Sequence, residues 1–434
     1  MIKKRNIFLK ESSLKKRSYI KKGKRNRSKR KFRGEKGRVI YAKLEIGKNN
    51  KIYEKKRKGK QEGKKVKDIT PKYRNKEAVK RLTEKIRDEA KKIDRNVTIM
   101  HVCGTHEHDI VKAGIRALLP KNVELIAGPG CPTCCVSALD IDEVLWLADH
   151  HNLTITTFGD MMRVPSSNES LYQAQARGLD VRVVYSISDA VNLARTHPEL
   201  DVLFFSVGFE TTSCITAAEV LRVDLPNFSI YSSHKLVPPA MKLLLQRDDI
   251  EFHGFIAPGH VSTIIGSNPY EFIPREFHFP VSVGGFEPVD ILLSIYSLLK
   301  QIRTDSPIVS NDYKRYVKPE GNVAAIKAME EAFVVSEVRW RGLGTWPLSG
   351  SEISDDYAHI DAKKRFSIPK LEGKDLHSKC RCDEVLIGKT KPQECPLFMK
   401  ACRPDHPVGA CMVSHEGTCN VAATYGSFLE ELQE

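Results

Sequence analysis

Six cysteines lie close together near the end of this 434-residue chain. They are Cys380, Cys382, Cys395, Cys402, Cys411 and Cys419. Iron–sulfur clusters are held by four cysteine thiolates. Zinc accepts the same ligands, usually from paired CxxC motifs, which this segment does not contain. Because the corners of a [4Fe-4S] cube are several ångströms apart, single cysteines spaced along loops favour such a cluster over zinc or over inert buried thiols.

A CxxC motif, formed by Cys131 and Cys134, follows a glycine-rich turn at residues 128–130. Such a pair can cycle between dithiol and disulfide, or it can bind a metal. Pro132 lies inside the motif, as it does in many redox dithiols. The motif favours redox activity, with metal ligation and a structural role as the alternatives. Cys135, the next residue, is a competing thiol.

The motif CGTHEH places one thiol, two imidazoles and a carboxylate within six residues. Thiolate and imidazole both suit iron, so Cys103, His106 and His108 are candidate ligands or catalytic groups. Glu107 could orient one of the histidines from the second coordination shell. The alternative is that the histidines only cap or pack locally.

Further polar residues follow other apolar runs of the sequence. They include Glu210, His234 and His260, which are candidate catalytic residues, and Asp160 and Arg163. Each one alone is more typical of a helix cap or a loop anchor than of a catalytic group. Around a single cleft, however, they would supply acid, base and hydrogen-bonding groups.

Eight short apolar runs, each followed by a helical stretch, must position these residues. The runs are 97–102, 123–128, 153–159, 181–186, 202–208, 228–233, 252–257 and 280–285. Continuous apolar runs that alternate with helices predict parallel strands covered on both faces. Ligands bind beyond the carboxyl ends of such strands, where the unusual residues stand. The eight strands divide near Pro198 into two groups of four, which predicts an α/β fold with two similar parallel-sheet lobes.

We therefore predict four regions along the chain. Residues 1–75 form a basic, disordered tail, 76–197 an α/β lobe with an N-terminal helix, and 198–302 a second α/β lobe. Residues 303–434 form a loop-rich, cysteine-bound iron–sulfur domain. A loop-rich segment of this kind buries too small a core to be stable without a cross-link, and in a reducing compartment a metal centre can provide the cross-link.

The formal charge of +16 is concentrated in the tail. Residues 1–67 hold about 29 Lys and Arg against about 5 Asp and Glu, which leaves the remainder at about −8. A solvated tail is the simpler interpretation, and binding of nucleic acid or a partner through the tail is the alternative. No apolar run is long enough to span a bilayer. The N-terminus lacks the apolar core of a secretion signal, so we expect a cytoplasmic protein with no membrane partner.

Taken together, the motifs resemble those of the HypD family, from about Arg81 to the C-terminus. The resemblance rests on HVCGTHEH, GPGCPTC, TTFGDMMRVP, VGFETT, PGHVSTIIG, GFEPVDILLSI, WRGLG and ECPLF…CRPDHPVGACMVSHEGTC, in this order. It implies two α/β lobes that face a cleft and a third domain with a [4Fe-4S] cluster. It also implies a maturation scaffold on which the Fe(CN)2CO moiety of [NiFe] hydrogenases is assembled, rather than a conventional turnover enzyme.

The resemblance further implies roles for individual residues and partners. Cys103 matches the family's iron-site cysteine, and Cys131 and Cys134 match its proposed redox dithiol. The family's cluster spacing falls on Cys380, Cys395, Cys402 and Cys419, with Cys382 and Cys411 left over as possible substitutes. The implied partners are a HypC-like chaperone, a HypE-like cyanide donor and, indirectly, the hydrogenase large subunit.

Two other functions remain compatible with the residues. One is a stand-alone Fe-S thiol/disulfide oxidoreductase that uses Cys131 and Cys134, although the sequence has no GxGxxG fingerprint for a nicotinamide or flavin cofactor. The other is nucleic-acid binding by the tail.

Overall fold

The computed structural model describes residues 73–431, together with four strands nearer the N-terminus. The strands are β1 (Tyr19–Lys22), β2 (Ser28–Arg33), β3 (Val39–Ile46), β4 (Ile52–Lys55), β5 (Val97–His101), β6 (Val123–Ala127), β7 (Thr154–Thr157), β8 (Val181–Val183), β9 (Val202–Gly208), β10 (Phe228–Lys235), β11 (Gly254–Pro258), β12 (Val281–Gly284), β13 (Val309–Asn311), β14 (Phe333–Trp340) and β15 (Gly344–Ile353).

The α-helices alternate with these strands over most of the chain. They are α1 (Lys76–Ala90), α2 (Gly104–Lys112), α3 (Ile115–Leu118), α4 (Pro132–Cys135), α5 (Ala138–His151), α6 (Leu171–Ala176), α7 (Ile187–Thr196), α8 (Glu210–Val220), α9 (Val237–Leu245), α10 (Gly259–Ile265), α11 (Phe272–Phe277), α12 (Pro288–Thr304), α13 (Val323–Ala332), α14 (Ala362–Arg365), α15 (Cys382–Leu386) and α16 (Thr418–Glu431). Among the described residues no helix combines the length and the apolar character needed to cross a bilayer.

Strands β1–β4 form an antiparallel meander within a compact unit, Met1–Asp68. The structure therefore has strands in part of the region that was expected to be a disordered tail. The first half of β3, residues 39–42, is a continuous apolar run, and polar and apolar residues alternate in the second half, residues 43–46; both patterns suit a strand despite the many basic residues nearby. The rest of the predicted tail, up to residue 72, lies outside the described residues.

The second compact unit, Ile69–Glu434, contains two sheets dominated by parallel strands. The first has the order β13-β12-β11-β5-β6 and is parallel throughout. The second has the order β14-β15-β10-β9-β7-β8, in which the hairpin β14–β15 joins antiparallel to β10. All eight predicted strands are present, and the predicted α/β class with parallel sheets is confirmed.

The grouping of the strands differs from the prediction that the two lobes meet at Pro198. The first sheet takes β5 and β6 from before that residue and β11, β12 and β13 from well after it. Apolar runs identify buried parallel strands, but they carry no information about which strands pair. The predicted start of the C-terminal domain at residue 303 differs in the same way, because β13, β14 and β15 complete the two sheets.

Helix α1 shows how the local sequence builds these layers. The Asn75 side chain accepts a hydrogen bond from the amide of Ala78 at 3.0 Å and so caps the helix. Ile86 and Ala90 are fully buried, one helical turn apart. The helix packs against α12, in which Arg303 forms an ion pair with Glu89 across the interface. The first sheet is thereby covered on this face.

Candidate functional site

Cys103 lies between β5 and the first turn of α2, directly against a glycine. A β-carbon on Gly130 would lie 2.1 Å from the Cys103 nitrogen, so only glycine permits this approach. The amide of Gly104 donates to the Gly130 carbonyl at 3.0 Å. Burial, followed by the charge of Glu416, raises the pKa of the Cys103 thiol to about 12. The thiol therefore stays protonated at neutral pH unless a metal displaces the proton.

His106 and His260 share one aromatic neighbour, Phe286. The ring of Phe286 stacks on His260 at a centroid distance of 3.9 Å and lies 4.8 Å from His106. His106 Nε2–H donates to the carbonyl of Gly285 at 3.0 Å. Burial lowers the pKa of His106 to about 3 and also lowers that of His260. Both imidazoles are therefore neutral. The contacts of His106, His260 and Phe286 bring together the loops that follow β5, β11 and β12.

Glu107 points away from the other residues of its motif and forms a buried ion pair. Its carboxylate accepts from His101 Nε2 at 2.9 Å and from Arg116 at 2.7 Å. Burial raises its pKa, but the charge of Arg116 and the bond from His101 outweigh burial and hold the pKa at about 2. Glu107 thus orients His101, which lies outside the CGTHEH motif, and neither histidine of the motif itself.

The C-terminal segment covers the CGTHEH loop. The Thr105 hydroxyl donates to Glu416 Oε1 at 2.6 Å, and a β-carbon on Gly104 would lie 2.7 Å from Glu416. His108 forms a hydrogen bond with the Tyr425 hydroxyl at 3.1 Å. The loop that carries Cys103 is thus enclosed by residues from the far end of the chain.

Cys131 and Cys134 are joined by a disulfide, with their Cα atoms 5.3 Å apart. Gly130, next to the disulfide, packs against Cys103 on one side. On the other side a β-carbon on Gly417 would lie 3.2 Å from the Cys134 sulfur, within the cysteine-rich segment. The disulfide therefore stands between the Cys103 loop and the C-terminal cysteines.

All six C-terminal cysteines line one small hollow. Its walls also include Val385, Phe398 and Met412. The amide of Val408 donates to the Cys402 sulfur at 3.3 Å, and the amide of Cys411 donates to the Cys382 sulfur at 3.4 Å. Backbone donors to sulfur stabilise thiolates, so this hollow suits a soft metal group.

In the described part of the chain, no three His, Cys, Asp or Glu side chains lie close enough together to hold one metal ion. The sulfurs of Cys382 and Cys411 are 2.9 Å apart. The cysteines surround the hollow rather than meeting at a point. This arrangement is unlike a mononuclear tetrahedral site, in which four donors share one centre.

Two arginines fasten this cysteine-rich segment to the α/β core. Arg163 donates to the carbonyls of Pro404 and Val413. Arg341 is 1% exposed, and its guanidinium donates to three backbone carbonyls, those of Val136, Pro165 and Asp375. Since the guanidinium is a rigid fork of donors, it fixes three loops relative to one another.

Glu210 begins α8 on the second sheet and is 3% exposed. Its Oε1 accepts from the amide of Val237 at 2.9 Å. Burial raises its pKa to about 7, against the opposing effect of backbone hydrogen bonds. Tyr270, whose hydroxyl pairs with Ser262 at 3.1 Å, lies within electrostatic range of both Glu210 and Cys103.

His234 lies elsewhere, in the interior of the second sheet. Its ring pairs with the hydroxyls of Ser206 at 2.7 Å and Ser232 at 3.2 Å and packs edge-on against Phe333. Burial lowers its pKa to about 3. These contacts are those of a core histidine whose hydrogen bonds are satisfied.

The structure thus gathers most of the predicted site residues into two connected groups. The first, around Cys103, contains His106 and His260, and the second contains the six cysteines. Sequence reasoning missed Glu416 and Tyr270. Glu416 precedes Cys419 by three residues, and that spacing was an available signal, whereas Tyr270 reaches the site only through the fold.

Comparison with known proteins extends these observations. The HypD family model, described as the hydrogenase formation hypA family, matches residues 77–426. A hydrogenase expression/formation protein of Methanocaldococcus jannaschii is 43% identical over 350 residues, which is 80% of this chain and 97% of that protein. The hydrogenase maturation factor HypD of Escherichia coli is 42% identical over 355 residues, 80% of this chain and 95% of that protein.

These relatives support a role in hydrogenase maturation. A third, the hydrogenase maturation factor HypD2 of Bradyrhizobium diazoefficiens, is 41% identical and covers 83% of this chain and 97% of its own length. Because the family model and these relatives span most of the sequence, the chain belongs to the HypD family.

Proposed function

We propose that this protein is a scaffold on which the Fe(CN)2CO moiety of a [NiFe] hydrogenase is assembled. The observation that carries the proposal is the order of three sulfur sites. The buried thiol of Cys103 lies against the turn before the Cys131–Cys134 disulfide, and the disulfide lies against the hollow lined by six cysteines. In this arrangement the iron is the cargo, and Cys103 is the thiolate that holds it.

The donor set of the hollow fits a [4Fe-4S] cluster better than a single ion. Each thiolate of such a cluster binds a different iron, so the sulfurs surround the group instead of converging on one centre. We assign Cys380, Cys395, Cys402 and Cys419 as ligands on the family spacing. Cys382 and Cys411 line the same hollow and are the substitutes to test. When bound, the cluster would supply electrons one at a time.

The dithiol lies where it could pass electrons between the hollow and the Cys103 loop. Reduction of the Cys131–Cys134 disulfide takes up two electrons and two protons, and its reoxidation returns them. The C-terminal segment brings Gly417 within contact distance of the Cys134 sulfur. The separation between donor and acceptor is thus short on both sides of the dithiol.

A soft thiolate suits the iron of this cargo, which is low-spin and electron-rich with cyanide and carbonyl bound. His106 and His260, which both lie against Phe286, are neutral at physiological pH and add no charge. We further propose a HypC-like chaperone as the assembly partner, a HypE-like protein as the cyanide donor, and transfer to the hydrogenase large subunit in the cytoplasm. The family resemblance supports these partners.

A stand-alone Fe-S thiol/disulfide oxidoreductase is the alternative, and the disulfide is the observation that favours it. Cys131 and Cys134 are only 4% and 1% exposed, however, so a disulfide substrate has no direct access to either sulfur. Turnover of a small disulfide without any partner would establish this alternative.

The test is anaerobic purification of the full chain, alone and with its HypC-like partner, followed by iron and sulfide analysis, Mössbauer and infrared spectra. We expect about four cluster irons and, in the complex, cyanide and carbonyl stretches. Cys103→Ala should abolish those stretches and leave the cluster intact. Cys214→Ala is the matched control, since Cys214 is a thiol on α8 outside both groups. A zinc-containing protein with no such stretches would refute the proposal.

Comparison of Cys402→Ser with Cys411→Ser would then assign the ligands. Loss of cluster iron in the first variant, with retention in the second, supports the family spacing. The reverse result would exchange these two cysteines in the assignment.

A further inference from the structure

The four-stranded meander β1–β4 has two chemically different faces. Its strands pair in a regular antiparallel register. In such a sheet, directly opposite residues and alternate residues along one strand share a face. The register therefore places the odd-numbered residues of all four strands on one face, the odd face, and the even-numbered residues on the other, the even face.

The odd face is strongly basic. Against one acidic residue, Glu45, it holds six basic residues: Lys21, Lys29, Lys31, Arg33, Lys43 and Lys55. Four of them lie opposite one another in a single row across the four strands: Lys21, Lys29, Lys43 and Lys55. Like charges that are directly opposite destabilise a sheet. A polyanion laid across this row would neutralise the repulsion, so the row itself indicates a ligand.

Tyrosines lie among the basic residues of the odd face. Tyr19 and Tyr41 are the two register partners of Lys31, in the row next to the lysine row. Tyr53 lies on the same face, opposite Glu45. Aromatic rings are platforms on which unpaired bases stack, while neighbouring basic groups follow the phosphates. This combination favours a single strand of nucleic acid over an anionic membrane or an acidic protein, for which charge alone would be enough.

The even face is mostly apolar. It includes Phe32, Ile40, Leu44 and Ile46. An antiparallel sheet with one apolar face commonly covers that face and leaves the other one to water. The odd face is thus the one that a ligand in solution can reach.

We propose that the odd face of β1–β4 binds single-stranded nucleic acid. The phosphates follow the lysine row, and unpaired bases stack on the tyrosines of the adjoining rows. This activity is separate from the scaffold function, because no residue of the CGTHEH motif or of the cysteine-rich segment takes part in it. Contacts to phosphates and base faces carry little sequence information, so affinity depends on salt and on strandedness more than on sequence.

The test measures binding of the full chain to a fluorescently labelled oligo(dT) of about 16 nucleotides, by fluorescence anisotropy at several salt concentrations. A plot of the logarithm of the association constant against that of salt concentration should have a slope of up to about −4, since each of the six basic residues can contribute about −0.7. Tyr41→Ala should weaken binding about tenfold, whereas Tyr41→Phe keeps the ring and should bind like the wild type. A duplex of the same length should bind with an affinity that Tyr41→Ala leaves unchanged.

Lys31→Gln and Arg30→Gln are the matched variants. The two residues are neighbours in β2 and each substitution removes one positive charge, but from opposite faces. Lys31→Gln should weaken oligo(dT) binding and reduce the salt slope by about 0.7, and Arg30→Gln should change neither. Equal losses in both variants would show binding by charge alone and would overturn the inference.

Binding to vesicles that contain phosphatidylserine, without binding to oligo(dT), would also overturn it. If Tyr41→Ala does not fold, the comparison of Lys31→Gln with Arg30→Gln decides. Cys103→Ala should bind oligo(dT) like the wild type, which separates this activity from assembly of the iron group.

Discussion

Substitution of Glu107 by Gln should destabilise the protein strongly at neutral pH and hardly at all in acid. The carboxylate pairs with His101 and Arg116 in a buried setting, and its pKa is about 2 in place of the ordinary 4.5. At about 1.4 kcal/mol for each tenfold change in proton affinity, this difference corresponds to about 3 kcal/mol. We therefore expect the variant to unfold with a free energy lower by about 3 kcal/mol at pH 7.

The pH dependence follows from the direction of the shift. A carboxyl group whose pKa is lowered by folding stabilises the native state above its unfolded pKa, and this contribution is lost as the pH falls through the folded pKa. The difference between wild type and Glu107→Gln should thus be complete above about pH 5 and nearly absent near pH 2. The wild type should lose stability over the same interval, while the variant should lose less.

The assay is urea unfolding of the full chain under anaerobic conditions, followed by circular dichroism at several pH values. Glu124→Gln is the control, since Glu124 pairs with Lys391 on the surface, with side chains 50% and 68% exposed. Such a pair contributes about 0–1 kcal/mol. A loss below about 1 kcal/mol for Glu107→Gln at pH 7, or a loss that is constant down to pH 3, would refute the buried ion pair as its cause.

Three further predictions concern the residues that hold the site together. Gly130→Ala should lower the free energy of unfolding by about 3 kcal/mol or more, because the added β-carbon would overlap the backbone of Cys103. Thermal unfolding measures this loss. Gly426→Ala is the neutral control, since a β-carbon at Gly426 meets no atom within 4 Å. In the metal-free chain, the rate at which iodoacetamide alkylates Cys103 should rise about tenfold per pH unit up to pH 11, because the pKa of the thiol is about 12. Peptide mass spectrometry follows the alkylation. A rate that levels off near pH 9 would contradict that pKa. Arg341→Lys should cost about 2–4 kcal/mol in urea unfolding, since one ammonium group cannot reach three carbonyls; a cost under 1 kcal/mol would show that packing alone holds the loops.

The strands and the chemistry-bearing loops were predictable from the sequence because each depends on local pattern. Residue type and spacing alone identify the buried strands, the Cys131–Cys134 pair and the six clustered cysteines. The pairing of β5 with β11 could not be predicted, since it joins segments more than 150 residues apart that share only their apolar character. The partner of Glu107 was hidden for the same kind of reason. His101 lies within β5, where the sequence offers no sign that its ring turns toward α2.

The interrupted first sheet also constrains the order of folding. Strand β5 is an interior strand of that sheet, between β6 and β11, yet β11 begins only at Gly254. During synthesis one edge of β5 therefore stays unpaired until strands β7–β10 of the second sheet and then β11 have left the ribosome. Such long-range pairing slows folding and exposes an edge that can aggregate. The nascent chain should accordingly depend on general chaperones until Gly254–Pro258 has been made.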